Sequence, residues 1–209
     1  MKRLIVNADD LGFAEGVNRG IADAHERGIV TSASLMVDRP GAEGGADLAR
    51  RTPSLSVGLH AVLARRGELT VGPDDCKGEL ERQLARFEEL VGRPPTHVDS
   101  HHHVHRDERI RAAFAAFADV HDLPMRERAV RHCAEYYGEA AIGVDNLLAI
   151  LDRLENGDTE LGCHPGYATG LDSRYTAERE EELRTLTHPR VRARVDDLGI
   201  ELIGWSEVR

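Results

Sequence analysis

The chain has 209 residues, of which 41% are hydrophobic, and its formal net charge at pH 7 is −10. That length suits one α/β domain with a full core, so we predict a single domain over residues 1–209. The acidic balance disfavours a broad nucleic-acid surface, which needs clustered Lys and Arg. No apolar run approaches the roughly 20 residues of a membrane helix, and the first ten residues lack the apolar core of a secretory signal. We therefore predict no membrane span and a cytoplasmic location.

The cysteine pattern argues against a disulfide framework. The three cysteines form no CxxC pair and are far apart in the chain, at Cys76, Cys133 and Cys163. We predict that they are free thiols in a reducing compartment. A zinc site built from cysteines is therefore not expected.

Short apolar, β-rich segments alternate with helical segments along the chain. In chain order, the pattern predicts a strand at 3–8, a helix at 15–28, a strand at 31–37, a helix at 42–51, a strand at 55–63, a helix at 78–92, a strand at 96–102, a helix at 107–122, a strand at 124–127, a helix at 144–157, a strand at 159–164, helices at 177–186 and 188–199, and a strand at 200–208. Such alternation predicts a mainly parallel sheet. About seven strand–helix units could close into a TIM-like barrel or remain an open doubly wound sheet. No glycine-rich phosphate loop follows the first strand, which weakens the nucleotide-binding form of an open sheet.

Charged and imidazole side chains mark the ends of five predicted strands. They are Asp9 and Asp10 on the first strand, His60 on the third, Asp99 and His101 on the fourth, Arg126 on the fifth and His164 on the sixth. In a parallel barrel these ends meet at one rim, where such folds carry their active sites. Each motif alone has an ordinary explanation as a turn, a cap, a core histidine or a solvated loop. All of those explanations would have to hold together, which favours one shared site.

A divalent ion in a hydrolase needs nitrogen and oxygen ligands and an open position for water, which one Asp and two His can supply. Asp9 and Asp10 are adjacent, so one can hold an ion while the other faces the substrate and accepts a proton. Within "HHHVH", strand alternation places His101 and His103 on one face, and the spacing leaves both open as ligands. We expect His103 and His105 to line the pocket or orient ligands.

The remaining polar candidates each have two readings. His164 could give a proton to a leaving amine or act as a fourth ligand. Arg126 could orient the free carboxylate or form an ordinary salt bridge. Tyr167 and Trp205 could stack on a sugar or simply pack in the core.

These motifs resemble the YdjC/ChbG-like carbohydrate deacetylases, which include the HpnK-type members of hopanoid biosynthesis. The resemblance covers nearly the whole chain, in the same order, and rests on "LIVNADDLGFAEGVNRGI", "GIVTSASLMV", "LSVGLH", "PTHVDSHHHVH", "MRE", "TELGCHPGY" and "REEELRTL". It implies one deacetylase-like catalytic domain with a distorted, TIM-barrel-like fold of the polysaccharide-deacetylase type. The implied reaction is metal-dependent removal of an N-acetyl group from an amino sugar or acetylated oligosaccharide, with release of acetate.

The resemblance also assigns roles to individual residues. The metal ligands would be Asp10, His60 and His101, with Asp9 as base and His164 as acid. The family resemblance implies magnesium, whereas two imidazoles equally suit zinc or another transition ion. A homodimer is expected by family analogy alone.

Two segments depart from the family pattern. "AVLARRGELTVGPDDCKG", at 61–78, and the region 127–145 are shorter than in the members that act on chitooligosaccharides. Both would form walls of the cleft, so the identity of the sugar does not carry over. The alternatives are another barrel metallohydrolase, of the amidohydrolase or phosphoesterase type, and a non-catalytic metal- or sugar-binding protein. Barrel metallohydrolases of these types usually have an HxH pair on the first strand, where this chain has "ADD".

Overall fold

The computed structural model describes residues 1–65, 67–138, 140–169, 171, 173 and 175–208. Within them, strands run over β1 Lys2–Leu11, β2 Ser32–Leu35, β3 Ser56–Ala61, β4 Ala64–Arg65, β5 Glu68–Leu69, β6 Val98–Ser100, β7 Arg131–Cys133, β8 Gly157–Cys163 and β9 Glu201–Leu202. Helices run over α1 Glu15–Arg27, α2 Ala42–Arg51, α3 Pro73–Val91, α4 Arg111–Val120, α5 Val144–Arg153, α6 Ala177–Leu186 and α7 Pro189–Asp197. Two 3-10 turns cover His101–Arg106 and Trp205–Glu207. None of the helices described is both long and apolar enough to cross a membrane.

The centre of the molecule is a parallel sheet in the order β6-β3-β2-β1-β8-β7, with β9 paired to the start of β1. Every pairing in this sheet is parallel, whereas β4 and β5 form a separate antiparallel pair. The strand–helix alternation of the sequence therefore gives the α/β class that was predicted. Because the strands are parallel, their carboxyl ends lie along one edge of the sheet.

The helices cover the sheet with apolar stripes. In α3, Leu80, Leu84 and Phe87 are buried at helical spacing, and burying each such side chain contributes about 1.5–3 kcal/mol. Pro73 is tolerated in the first turn of this helix, and Gly92 ends it with a left-handed φ of 79°.

Three predicted strands differ from the observed ones. The segment predicted at 124–127 makes only an isolated bridge from Met125 to Val98, because the chain turns at once and Arg128 donates its backbone N–H to the Met125 carbonyl. The strand predicted at 96–102 ends at Ser100, since His102 and His103 adopt left-handed φ angles of 59° and 51°. The closing strand at 200–208 is reduced to β9 and a 3-10 turn.

The strand β7 was not predicted. Its three residues, "RHC", carry no apolar run and are exposed or half-buried at the end of the sheet. Period-two alternation cannot be detected over so short and polar a segment.

Helix α1 packs tightly on the segment that follows β8. A Cβ atom at Gly20 would lie 2.4 Å from the Gly166 Cα, and the Tyr167 N–H donates to the Gly16 carbonyl at 3.0 Å. The close approach fixes the start of the "HPGY" turn, directly after His164.

We expect Gly20→Ala to destabilise the protein by about 1–3 kcal/mol, because the added methyl group would force two backbones apart. The measurement is the free energy of unfolding from urea denaturation. Gly78→Ala is the matched control, since a Cβ there meets nothing within 4 Å and alanine is favoured in an exposed helix by about 0.5–1 kcal/mol. Equal stability of the Gly20→Ala variant and the wild type would contradict this packing.

Candidate metal and catalytic site

A β-bulge in β1 allows two adjacent aspartates to serve one site. Ala8 pairs with Ala33 and Leu11 pairs with Leu35, so β1 has one residue more than β2 between these pairs. Asp10 takes a left-handed φ of 67°. In a regular strand, neighbouring side chains point to opposite faces, but the bulge relaxes this rule. Both Asp9 and Asp10 are buried.

Asp10, His60 and His101 converge on one point. Asp10 Oδ1 lies 3.4 Å from His60 Nε2 and 3.0 Å from His101 Nδ1. Neither contact has hydrogen-bond geometry, and this buried oxygen has no hydrogen-bond partner. Two ligands held about 2.1 Å from one metal ion at octahedral or tetrahedral angles are about 3.0–3.4 Å apart. The donor atoms therefore fit a shared divalent cation.

Asp99 sets the orientation of His60. Asp99 Oδ1 lies 2.6 Å from His60 Nδ1, and β6 is held in register beside β3 by the pairing of these two residues. With Nδ1 engaged by the carboxylate, the other ring nitrogen is directed at Asp10. A carboxylate behind a histidine in this way fixes the tautomer of a metal ligand and raises its basicity. The sequence placed Asp99 at the rim and assigned it no role.

The buried carboxylates of Asp10 and Asp99 need a compensating positive charge nearby. Burial alone would lower the pKa of His60, but the charges and contacts of Asp99 and Asp10 raise it to about 10. Burial alone would raise the pKa of Asp10, but contacts with His101 and His60 hold it well below its usual value. A cation bound among these side chains would supply the same positive charge, with release of the His60 proton.

Arg126 holds Asp9 in a fixed position. Its two terminal nitrogens donate to the two oxygens of Asp9 at 2.7 and 2.6 Å, and its Nε donates to Glu160 at 2.9 Å. One terminal nitrogen also lies 2.8 Å from Asp99. Burial raises the pKa of Asp9, but Arg126 outweighs burial and keeps it well below the usual range. Asp9 is therefore ionised.

A second set of donors, Asp9, His60 and Asp99, is also close enough to share an ion. The carboxylate oxygens of Asp9 and Asp99 are, however, already engaged by other side chains. Asp9 accepts from Arg126 and from Asn7 at 2.8 Å. Asp99 is engaged by His60, Arg126 and Ser34. The group around Asp10 therefore fits a cation better.

His164 follows β8 at the same edge. The pairing of Ala8 with Cys163 places it level with Asp9 along the neighbouring strands. Its Nδ1 lies 3.7 Å from Glu182, and its backbone N–H donates to the same carboxylate at 2.5 Å. Burial would lower the pKa of His164, but Glu182 and the nearby aspartates raise it. Within the described chain, His164 belongs to none of the candidate ligand groups.

Arg179 and Glu182 of α6 are site residues that the sequence reasoning did not assign. Arg179 donates to Asp10 Oδ2 at 2.6 Å and lies 3.4 Å from the His164 carbonyl, so it leaves only Oδ1 of Asp10 free. Both side chains are buried on a highly charged helix. The segment "REEELRTL" was part of the family resemblance, and it contains both residues.

The predicted substrate contacts have diverse surroundings. His103 and His105 both lie near Glu127, at 3.6 and 3.7 Å. Tyr167 donates its hydroxyl to Asp23 of α1, and Arg19 lies over its ring at 5.0 Å. Their roles as substrate contacts stay predictions.

The remaining aromatic side chains lie either in the core or beside His164. Trp205 is buried and stacks on His97 with ring centroids 4.8 Å apart, so it packs in the core. Tyr137 and Tyr175, which the sequence reasoning did not single out, stack on each other at 5.4 Å. Both rings lie edge-on to His164, and Tyr137 is 63% exposed. They form an aromatic wall beside the candidate acid.

Residues 3–197 match the sequence model of the family described as YdjC-like protein. The chain belongs to the YdjC-like family. The resemblance drawn from the motifs is thereby confirmed.

Two curated relatives of this YdjC-like chain align over nearly its whole length. A carbohydrate deacetylase from Geobacillus stearothermophilus is 38% identical over 240 positions, covering 97% of this chain and 96% of the relative. A chitooligosaccharide deacetylase from Serratia marcescens is 38% identical over 257 positions, covering 99% of both. Both aligned spans exceed the 209 residues of this chain, so the relatives contain additional residues.

Solved structures support the barrel-like fold. A protein from Enterococcus faecalis named for cellobiose-phosphate cleavage superposes with a TM-score of 0.86 at 26% identity, over 98% of this chain and 97% of that one. A family 4 carbohydrate esterase from Streptomyces lividans superposes with a TM-score of 0.62 at 13% identity, over 97% and 91%. The second likeness concerns the fold alone. The predicted polysaccharide-deacetylase-type barrel is confirmed as a curled parallel sheet.

The contact between Glu182 and His164 makes a testable prediction. We expect Glu182→Gln to lower the pKa of the His164 imidazole, because the neutral amide no longer stabilises the imidazolium. In the wild type this pKa lies above the ordinary 6.5, so His164 stays protonated to higher pH than in the variant. The measurement is an NMR titration of the histidine ring. Glu181→Gln is the matched control, since Glu181 pairs with Arg184 on the same helix. A His164 pKa that is equal in the wild type and in both variants would refute the assignment.

Proposed function

We propose that this chain is a metal-dependent carbohydrate N-deacetylase, with residues 1–209 forming one catalytic domain. The observation that carries the proposal is the convergence of Asp10, His60 and His101 within 4.8 Å of one another, with Asp10 Oδ1 buried and free of hydrogen bonds. Asp9 and His164 lie at the same edge of the sheet, in positions suited to a base and an acid. Deacetylation is the chemistry named for both relatives.

The donor set defines the kind of ion that the site would take. One carboxylate and two imidazoles are typical of zinc and other transition ions, whereas magnesium prefers oxygen ligands. Magnesium is the ion implied by the family resemblance, so both are candidates. When bound, a divalent cation supplies Lewis-acid activation of water and of an amide carbonyl.

The chain's own residues would divide the proton transfers. Asp9, ionised and held by Arg126, would accept the proton of the attacking water. His164, whose imidazolium form Glu182 favours, would donate a proton to the departing amine. Arg179 would hold Asp10 through Oδ2 and leave Oδ1 free to bind the ion. The products are acetate and a free amino sugar.

The substrate class rests on the relatives and on the shape of the rim. One relative is named for chitooligosaccharides and the other for carbohydrates in general. The exposed face of Tyr137 beside His164 offers a stacking surface for a sugar ring. The relatives contain residues that this chain lacks, and we expect those residues to be inserted at the positions of segments 61–78 and 127–145. The cytoplasmic location and the homodimer stay predictions.

We expect Asp9→Asn to bind the divalent ion as the wild type does and to lose turnover by about 10²–10⁴-fold, because the amide cannot accept a proton. The measurement is acetate release from a panel of N-acetylated mono- and oligosaccharides, together with ion binding by equilibrium dialysis. Asp47→Asn is the matched control, since its side chain is 56% exposed.

The same panel separates the alternatives. A barrel hydrolase of another type would release no acetate and would cleave other amides or phosphoesters. A binding protein would retain sugars without turnover. Near-normal acetate release by the Asp9→Asn variant would contradict the role of Asp9. The absence of acetate release from every N-acetylated sugar by the wild type would contradict the proposed activity.

A further inference from the structure

A second cluster of possible ligands includes two histidines of the histidine-rich turn at His101–Arg106. His103, His105 and Glu127 offer donor atoms that all lie within 4.8 Å of one another. Glu127 Oε1 is 3.6 Å from His103 Nδ1 and 3.7 Å from His105 Nε2. These separations are too long for hydrogen bonds and close to the spacing of two ligands on one transition ion.

Both imidazole nitrogens are buried and lack a hydrogen-bond partner in the described chain. The side chain of His105 is only 2% exposed. Its other nitrogen, Nδ1, lies 2.7 Å from the Ser100 hydroxyl, which also accepts the His105 backbone N–H. The serine therefore fixes the ring with Nε2 directed at Glu127, as an outer partner fixes a metal-bound histidine.

The backbone on both sides of the cluster adopts uncommon conformations. Left-handed φ angles occur at His102, His103 and Glu127, with values of 59°, 51° and 68°. Such conformations cost about 1–3 kcal/mol each and concentrate where side chains must be held for function.

We propose that His103, His105 and Glu127 form a second divalent-cation site, selective for zinc or a similar transition ion, beside the site of Asp10, His60 and His101. Two imidazoles and one carboxylate form a donor set typical of such ions.

Burial also decides between a cation and a sugar at these two nitrogens. A sugar hydroxyl cannot reach nitrogens that are sealed from solvent, whereas a single ion fits among three side chains. A bound cation would join the turn that carries His101 to the segment that carries Arg126. It would thus stabilise the rim without taking part in proton transfer.

Arg106 is the competitor for Glu127. Its Nε donates to both Glu127 oxygens, at 2.9 and 3.0 Å. The Arg106 side chain is 50% exposed and can move away. Removing it should therefore strengthen cation binding at the second site without disturbing the core.

The experiment counts zinc ions bound by the full-length protein after equilibrium dialysis, by elemental analysis. We expect two ions per chain in the wild type, one in Asp10→Asn, one in Glu127→Gln and none in the double variant. Glu43→Gln is the matched control, since its side chain is 82% exposed, and it should bind two. Arg106→Gln should bind the second ion about 2–5-fold more tightly, since exposed ion pairs are weak.

Two results would overturn the proposal. One is a single ion in the wild type that Asp10→Asn removes, which would mean that only water occupies the second cluster. The other is two ions retained by Glu127→Gln. Arg106→Gln covers the case in which Glu127→Gln fails to fold, because an unchanged affinity for the second ion in that variant would equally count against the site. Acetate release plays no part in this readout, so the second site and the deacetylase activity can fail independently.

Discussion

The buried guanidinium of Arg126 is the interaction on which the rest of the site depends. It contacts Asp9 on β1, Asp99 on β6 and Glu160 on β8, and so joins strands from the middle and both sides of the sheet. Three carboxylates could not be buried together without it, since an unpaired buried charge costs about 3–5 kcal/mol. Through Asp99 the same guanidinium also supports His60. Loss of this one side chain would therefore disturb both the proposed base and a proposed ion ligand.

The division of labour between the two aspartates follows from one extra residue in β1. The bulge turns both carboxylates inward, and their partners then decide what each can do. Asp9 is bound by Arg126 through both oxygens, so it is held as an ionised group. Asp10 is bound by Arg179 through one oxygen only, and the other faces two imidazoles. Adjacent residues with identical side chains thus acquire different chemistry from their surroundings.

The sequence predicted the α/β class, the seven helices of the described chain and the set of rim residues, because these depend on local periodicity and on where strands end. Asp10, His60 and His101 were among these rim residues, and their donor atoms lie within 4.8 Å of one another. Their assignment as one ligand set came from the family resemblance and stays a prediction. The bulge at Asp10 and the left-handed turn at His102 and His103 were missed, since no glycine marks them. The assumption that side chains alternate along a strand was therefore wrong for the histidine-rich turn, which is a 3-10 segment.

Partners distant along the chain were missed for a different reason. Arg179 contacts Asp10 across 169 positions and Glu160 contacts Arg126 across 34. On a helix as charged as α6, nothing in the local pattern separates the buried Arg179 and Glu182 from their solvated neighbours. Only the folded arrangement shows which charges are paired inside the molecule.

In the proposed site, Asp10, His60 and His101 hold one divalent ion. The most direct test is an anomalous difference map of cobalt-loaded crystals, recorded at the cobalt absorption edge. We expect a peak about 2.0–2.3 Å from Asp10 Oδ1, His60 Nε2 and a ring nitrogen of His101. A map without density at that point, or with cobalt among Asp9, His60 and Asp99 instead, would contradict this proposal.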